Sequence, residues 1–199
     1  MPAPRITLPC FSSESGRLDR RLVILKPILR RPLLPVLILG LLAAGCAGRP
    51  ATPTIPAVAD QVVVEKAARR MKLMSRGEVF REYRVALGDN PIGHKQREGD
   101  ERTPEGDYLL DWRNPHSNYY KAIHISYPNA EDRFLARSNG HSPGGMIMIH
   151  GLPNHIVSDV VRQEYLGRDW TDGCIALNNQ EMDEIWDLVP DGTPIRILP

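Results

Sequence analysis

The sequence is poor in cysteine and has almost no net charge, and each shortage excludes a class of protein. Its 199 residues contain three cysteines, at positions 10, 46 and 174, which are too few for a disulfide framework or a cysteine-rich zinc site. The net charge of +1 disfavours nucleic acid, whose phosphates are bound by strongly basic surfaces. The sequence has no glycine-rich phosphate loop and no metal-ligand spacing. We therefore expect no nucleic-acid partner, no metal and no cofactor.

The near-neutral total is the sum of two unequal parts. Residues 1–45 contain seven basic and two acidic side chains, which leaves 18 basic and 22 acidic ones for residues 46–199. The basic stretch leads into an uncharged, mostly apolar run of twelve residues, Leu33–Ala44. Because a membrane-spanning helix needs about 20 apolar residues, this run is typical of the shorter core of a secretory signal.

A cysteine follows directly after this run. The segment Ala43-Ala44-Gly45-Cys46 resembles the lipobox of bacterial lipoproteins, in which the cysteine is lipidated and becomes the mature N-terminus. Ala43 stands where leucine is usual. An ordinary signal peptide or an N-terminal anchor is the alternative interpretation.

The lipobox divides the chain into three parts. We expect a lipoprotein signal peptide over 1–45, a proline-rich tether over 46–58 and one domain over 59–199. The domain would stand in the periplasm, attached to the membrane by its lipid. An aspartate directly after the lipidated cysteine often retains a lipoprotein in the inner membrane. This chain has Ala47 at that position, which favours the outer membrane.

Short apolar runs with polar breaks dominate the predicted domain. Apolar residues recur at about every second position on both sides of Gly77, which indicates a hairpin. Asn178 and Glu181 have the spacing of a helix capping box. We expect strands near 62–64, 71–75, 79–87, 108–112, 122–126, 146–150 and 193–198, long loops over 89–105 and 126–145, and helices over 156–165 and 178–188. The pattern predicts a mostly β, α+β domain with a few short helices.

One histidine and one cysteine have the surroundings of a catalytic pair. His150 ends an apolar strand, and Gly173 precedes Cys174. A cysteine attacks as its thiolate, and a histidine can accept the thiol proton and return it to a leaving amine. The glycine would allow close approach of a substrate and let backbone amides point at an oxyanion. A helical turn over 175–177 would lower the thiol pKa further.

The order and spacing of these residues resemble a known family. His150-Gly151 followed by the run from Thr171 to Ile175 is similar to the His-Gly…Ser-x-Gly-Cys signature of the L,D-transpeptidase catalytic (YkuD-like) family. Thr103-Pro104-Glu105-Gly106 resembles a second segment of that family, and the run from Ser126 to Arg133 resembles its YafK-like subgroup. The resemblance covers about residues 60–199 and implies an L,D-transpeptidase-like β-sandwich.

The resemblance implies a reaction on the stem peptides of peptidoglycan. Cys174 would be the nucleophile that attacks a stem tetrapeptide at meso-diaminopimelate and releases D-alanine, and His150 would be the proton acceptor and donor. An amine of a second stem or of a lipoprotein would resolve the thioester, which crosslinks or remodels the cell wall. Gly173, Gly151 and Thr171 would support the oxyanion and the turn.

Two other hypotheses use the same domain. With water as acceptor the site would be a murein amidase or L,D-carboxypeptidase, and without catalysis the chain would be a murein-binding lipoprotein. Thr171 stands where the family usually has serine, and Ala176 where it often has arginine. Contacts to an acidic stem peptide would then fall to other residues. The candidate substrate-binding residues are His124, Arg133, Trp170 and Asp172.

Overall fold

The computed structural model describes residues 58–199. The predicted signal peptide, the predicted lipidation site Cys46 and the predicted tether up to residue 57 lie outside the described residues. The described part contains β1 (Gln61–Glu65), β2 (Arg70–Ser75), β3 (Glu78–Arg84), β4 (Gly106–Ser117), β5 (Tyr120–Ile125), α1 (Ala130–Ser138), β6 (Met148–His150), α2 (Asp159–Gly167), β7 (Ile175–Ala176), α3 (Asn179–Leu188) and β8 (Thr193–Leu198).

These eight strands form one sheet, in the order β3-β2-β1-β8-β4-β5-β6-β7. Neighbouring strands are antiparallel except for the pairs β1–β8 and β6–β7. The two ends of this order come together, because Ala86, just after β3, exchanges both backbone hydrogen bonds with Ala176 of β7, at 2.9 and 2.8 Å. The sheet is therefore curled, and the segment after β3 lies beside β7.

The curled sheet encloses one apolar core. Along β8 the buried side chains of Thr193, Ile195 and Ile197 alternate with exposed ones, as expected for a strand with one buried face. The same core includes Leu73 of β2 and Ile149 of β6. Full burial of one such aliphatic side chain contributes about 1.5–3 kcal/mol. The prediction of a mostly β domain with a few short helices is confirmed.

The helix predicted over 178–188 is α3, and its N-terminus has the predicted capping box. The Asn178 side chain accepts the backbone N–H of Glu181, and the Glu181 carboxylate accepts the N–H of Asn178. Met182 and Ile185 are fully buried. The cap thus fixes the start of the helix, and its apolar stripe packs on the sheet.

Two helices differ from the prediction. The predicted loop over 126–145 contains α1, which begins with a capping box between Asn129 and Asp132. Ala136 is its one buried apolar residue, so no apolar stripe marks this helix in the sequence. The helix predicted over 156–165 is α2, which begins later because Ser158 has extended backbone angles. Within the described range, no helix combines the length and apolar character needed to cross a membrane.

Candidate active site

A cleft of about 720 Å³ opens beside β6 and β7. The parallel register sets Ile149 opposite Ile175, so His150, the last residue of β6, and Cys174, the residue before β7, lie next to the same strand pair. Both side chains line the cleft. The remaining lining residues come from β4, β5 and the turn between them (Asn114, Ser117, Asn118, Tyr119, Ala122), from the segment around β6 (Gly145, Met146, Ile147, Met148), from the α2 region (Pro153, His155, Tyr165) and from the turn before β7 (Trp170, Thr171, Asp172).

The predicted helical turn over 175–177 is wrong, because this segment begins with a strand. Ile175 and Ala176 form β7, and they are held between β6 and Ala86. The first described helix after Cys174 is α3, which begins at Asn179. A helix dipole acts within the first turn of a helix, so the expected lowering of the thiol pKa by a helix N-terminus at Cys174 is also wrong.

The thiol of Cys174 is instead a weak acid in a partly buried position. Its sulfur accepts the N–H of Met148 at 3.4 Å and lies 3.7 Å from the carbonyl oxygen of Met146. Burial raises the pKa of the Cys174 thiol to about 11, against the Met148 N–H, which lowers it; the Asp172 carboxylate raises this pKa and Lys95 lowers it. At neutral pH the resting side chain is therefore a protonated thiol, which would need a base to react as a thiolate.

His150 has the properties of that base. Its side chain is buried, and Nδ1 donates to the carbonyl oxygen of Gly151 at 2.7 Å. This bond places the proton of the neutral ring on Nδ1, so Nε2 is free to accept another. Burial lowers the pKa of His150 to about 4, although the Gly151 carbonyl opposes this. The imidazole is therefore neutral at pH 7.

Aromatic rings hold the imidazole in place. The Tyr119 ring lies 4.7 Å from the His150 ring between centroids, and the Trp170 ring meets it edge-on at 5.7 Å. Tyr165 of α2 packs edge-on against Trp170 at 5.0 Å. These contacts leave the imidazole little rotational freedom, and Trp170 also lines the cleft.

The turn before Cys174 is closed by Thr171. Its hydroxyl donates to the carbonyl oxygen of Cys174 at 2.8 Å and accepts the N–H of Gly173 at 3.1 Å. Gly173 has a φ of +126°, and a Cβ at this residue would lie 2.5 Å from the carbonyl oxygen of Arg102. The threonine therefore supplies the hydrogen bonds of the turn, and only glycine fits at its third position. The oxyanion role of both residues stays a prediction.

Gly151 is needed for a different reason. A Cβ there would lie 2.7 Å from Oδ1 of Asn179 and 2.9 Å from Cβ of Tyr120. Asn179 Oδ1 accepts the N–H of Leu152 at 2.9 Å, and this bond fixes the chain that carries the carbonyl partner of His150. Sequence reasoning missed Asn179, which α3 brings to the end of β6.

A second anchor of the turn was also missed. The Arg69 guanidinium makes a two-pronged ion pair with Asp169, with Nε and Nη2 at 2.9 and 2.7 Å from Oδ2. The other oxygen, Oδ1, accepts the N–H of Leu87 at 2.9 Å. Asp169 therefore connects the start of the turn before Cys174 to two segments that are distant in the sequence.

The four candidate substrate-binding residues are divided by the structure. Trp170 and Asp172 line the cleft. His124 lies outside the lining, where Nδ1 is 2.6 Å from Oδ1 of Asp111 and its ring stacks on Trp112 at 4.8 Å. Arg133 lies on α1, and its guanidinium donates to the carbonyl oxygen of Pro128. It also lies outside the cleft lining.

The described residues contain no group of three histidine, cysteine, aspartate or glutamate side chains that could hold a metal ion. Lysine and arginine are likewise absent from the lining of the cleft, as far as residues 58–199 are concerned. Its charged and titratable side chains are His150, His155, Asp172, Cys174, Tyr119 and Tyr165. The groups placed for chemistry are thus a thiol and a neutral imidazole in a half-enclosed cleft.

This fold and this pair of side chains agree with one family of cell-wall enzymes. Residues 59–197 match YkuD, the L,D-transpeptidase catalytic domain, and the chain belongs to this family.

Two bacterial relatives match the chain over part of their length. The chain is 36% identical over 122 residues to YafK of Escherichia coli K12, a proposed L,D-transpeptidase, and the match covers 60% of this chain and 41% of YafK. It is 26% identical over 142 residues to YqjB of Bacillus subtilis, also a proposed L,D-transpeptidase, covering 68% of this chain and 69% of YqjB.

A solved structure extends the comparison. The helical cell shape determining protein Pgp2 of Campylobacter jejuni superposes with a TM-score of 0.51 and 27% identity, covering 69% of this chain and 46% of Pgp2. The chain thus spans less than half the length of YafK and of Pgp2.

Proposed function

We propose that this protein is a cysteine-dependent L,D-transpeptidase, which forms a thioester with a peptidoglycan stem tetrapeptide and transfers it to an amine. Membership of the L,D-transpeptidase catalytic domain family supports the reaction on peptidoglycan. The observation that carries the proposal is the placement of Cys174 and His150 in one cleft.

The acylation half uses the two neutral groups described above. Nε2 of His150 takes the thiol proton as Cys174 Sγ attacks the carbonyl carbon of meso-diaminopimelate. The bond from that carbon to the nitrogen of D-alanine breaks, the imidazolium returns the proton to the leaving amine, and the stem remains as a thioester. Burial disfavours a resting ion pair between a Cys174 thiolate and a His150 imidazolium. The proton therefore moves from the thiol to the imidazole as the attack proceeds.

The second half decides the class of product. An amine of another stem peptide, or of a lipoprotein, gives up a proton to His150 as it attacks the thioester, and the thiol is released. This gives a 3–3 crosslink or an anchored protein. Water as the acceptor gives a shortened stem, which is the amidase or carboxypeptidase outcome.

Mass spectrometry with a purified tetrapeptide muropeptide tests the proposal. We expect an acyl adduct on the intact wild-type protein and 3–3 dimers among the products. Cys174→Ala should abolish both, and His150→Gln should slow the adduct by about 10²–10⁴-fold, as is usual for loss of general base catalysis. An adduct that survives Cys174→Ala contradicts the assignment, shortened monomers alone establish the hydrolase, and binding without turnover establishes the non-enzymatic hypothesis.

We further propose that the protein is lipidated at Cys46 and stands in the periplasm on the outer membrane. The support is the sequence of the apolar run and of Ala43-Ala44-Gly45-Cys46. Metabolic labelling with a palmitate analogue should mark the wild-type protein and Cys10→Ser but not Cys46→Ser. Label on Cys46→Ser, or label that fractionates with the inner membrane, contradicts the corresponding part of the proposal.

A further inference from the structure

A second cavity, of about 330 Å³, lies beside the long loop over 89–105. It has two arginines and a histidine in its lining, whereas the described lining of the catalytic cleft has no lysine or arginine. The lining residues are Arg97, Arg102, His141, Asn90, Gln96, Gly99 and Asp100. We call this cavity the arginine pocket.

The one acidic side chain in the described lining of the arginine pocket is already fully engaged. Oδ1 of Asp100 accepts from Lys95 Nζ at 2.8 Å and from the N–H of Arg102 at 3.1 Å. Oδ2 accepts the N–H groups of Gln96 and Arg97 at 2.7 and 3.1 Å. Asp100 therefore shapes the loop and pairs with the buried Lys95, and it does not neutralise the two guanidinium groups.

The two guanidinium groups lack anionic partners among the described residues. Within that range, neither Arg97 nor Arg102 forms an ion pair. Nη1 of Arg102 reaches the carbonyl oxygen of His94 only at 3.5 Å, and its Nε is buried with no acceptor among residues 58–199. A buried donor without an acceptor is costly, so the Arg102 guanidinium keeps unused hydrogen-bonding capacity beside the arginine pocket.

Backbone contacts connect the arginine pocket to the turn before Cys174. The carbonyl oxygen of Arg102 packs against Gly173, where no Cβ fits. The N–H of Glu98 donates to the carbonyl oxygen of Ser142 at 2.8 Å. The segment 141–147 contributes its first residue, His141, to the pocket and its last three to the cleft. One short segment therefore connects the two cavities.

We propose that the arginine pocket binds a carboxylate of the stem peptide whose reacting end lies in the cleft. This inference rests on the proposed function. A stem peptide carries several carboxylates, and the described lining of the cleft offers them no lysine or arginine. The planar, two-pronged donor set of a guanidinium matches a carboxylate. The pocket thus supplies the substrate's counter-charge from the loop over 89–105.

Calorimetric titration of the full-length Cys174→Ala protein tests this, since turnover is then blocked. The probe is a soluble stem tetrapeptide, compared with the same peptide whose carboxylates are converted to amides. We expect Arg102→Gln to weaken binding of the acidic peptide by about tenfold or more and Arg97→Gln by several-fold, because charge-assisted hydrogen bonds are stronger than neutral ones. Arg76→Gln, at an exposed side chain of the β2–β3 turn, is the matched control and should bind normally.

The amidated peptide sharpens the result. It should bind the Cys174→Ala protein weakly, and Arg97→Gln and Arg102→Gln should cause no further loss, as a double-mutant cycle requires for one shared contact. The Nε–H resonance of Arg102 should shift on addition of the acidic peptide. Equal binding by Arg97→Gln, Arg102→Gln and Arg76→Gln overturns the proposal.

Two further measurements complete the test. One distinguishes a carboxylate site from a phosphate site, and the other detects a variant that fails to fold. Inorganic phosphate that shifts the Arg102 resonance, while the amidated and acidic peptides bind alike, shows a phosphate site and overturns the proposal. If Arg102→Gln loses its dispersed amide spectrum, Arg97→Gln alone decides. A peptide that binds through the pocket but never acylates the wild-type protein refutes the proposed function and leaves this inference standing.

Discussion

The two sides of the cleft are built in different ways. The braced side consists of β6 and residues 169–176, and the covering side consists of residues 152–168. On the braced side Thr171 donates its backbone N–H to the carbonyl oxygen of Leu87 at 3.1 Å, and its own carbonyl oxygen accepts the N–H of Asp89 at 2.9 Å. On the covering side α2 buries none of its residues, and Val160 is 80% exposed.

This difference gives the two sides separate roles: the braced side positions Cys174, and the covering side shields the cleft. Cys174, the proposed nucleophile, is held by backbone hydrogen bonds and an ion pair to segments far away in sequence, as catalysis by this residue would require, since reaction rates depend on small displacements of the reacting atoms. The cover meets the braced side through the Tyr165–Trp170 contact. Regions with few buried apolar contacts open at a low free-energy cost, so α2, which buries none of its residues, can move without disturbing the thiol.

The largest expected contrast between the two sides is the change in the free energy of unfolding when a glycine is replaced by alanine. Gly173→Ala on the braced side places a Cβ 2.5 Å from the Arg102 carbonyl oxygen at a φ of +126°, and we expect it to lower the free energy of unfolding by about 3 kcal/mol. Gly167→Ala at the end of α2 places a Cβ with no atom within 4 Å. This substitution should raise the free energy of unfolding by up to about 1 kcal/mol. Urea denaturation measures both. Equal changes would show that the two sides are equally tolerant.

The next contrast is between two histidines of the cleft, and it appears as pH dependence. Burial lowers the pKa of His150 to about 4, whereas an unfolded histidine has a pKa of about 6.5. Between these values the unfolded chain binds a proton that the folded protein does not. The free energy of unfolding therefore falls as the pH drops from about 6.5 towards 4, by about 2–3 kcal/mol at pH 4.5.

Matched substitutions isolate this contribution. His150→Asn should remove this part of the loss between pH 7.5 and pH 4.5, whereas His155→Asn should keep it, because His155 is exposed on the covering side. Urea denaturation at pH 7.5, 5.5 and 4.5 gives the slopes. The same slope in wild type and His150→Asn would contradict a buried, neutral imidazole.

Local pattern in the sequence was sufficient for much of the fold. The hairpin around Gly77, the last strand and the capped helix after Asn178 follow from periodicity and capping chemistry, which act between near neighbours. Helix α1 was missed, because its cap uses Asp132 and it buries only one apolar side chain. The sequence wrongly predicts a helical turn over 175–177, because the two-residue strand there has no period to detect.

The site was predictable to the extent that its residues form an ordered motif. The positions of His150 and Cys174 follow from that order, and the structure places both in one cleft. The partners that hold them could not be predicted, since Arg69 and Asp169 are 100 residues apart and meet only because the sheet curls. The raised thiol pKa also depends on burial, which the sequence around Cys174 does not encode.

The smallest contrast is between two aspartates, one on each side. Asp169→Asn weakens the pair with Arg69 and the bond to Leu87, both half-buried, and should cost about 1–2 kcal/mol of unfolding free energy. Asp159→Asn on α2 removes an ion pair with Arg162 from an aspartate that is 90% exposed, and exposed pairs contribute about 0–1 kcal/mol.

The acylation rate separates bracing from simple stability in this pair. Asp169 starts the turn that carries Cys174, so Asp169→Asn should slow formation of the acyl adduct under conditions in which the protein remains folded. Asp159→Asn should leave that rate within about twofold, because an exposed ion pair on α2 contributes little. Adduct formation at a saturating muropeptide concentration, followed by intact mass, measures both. If Asp169→Asn acylates at the wild-type rate, the ion pair stabilises the fold without positioning the nucleophile, and the braced side holds Cys174 through Thr171 and its backbone bonds alone.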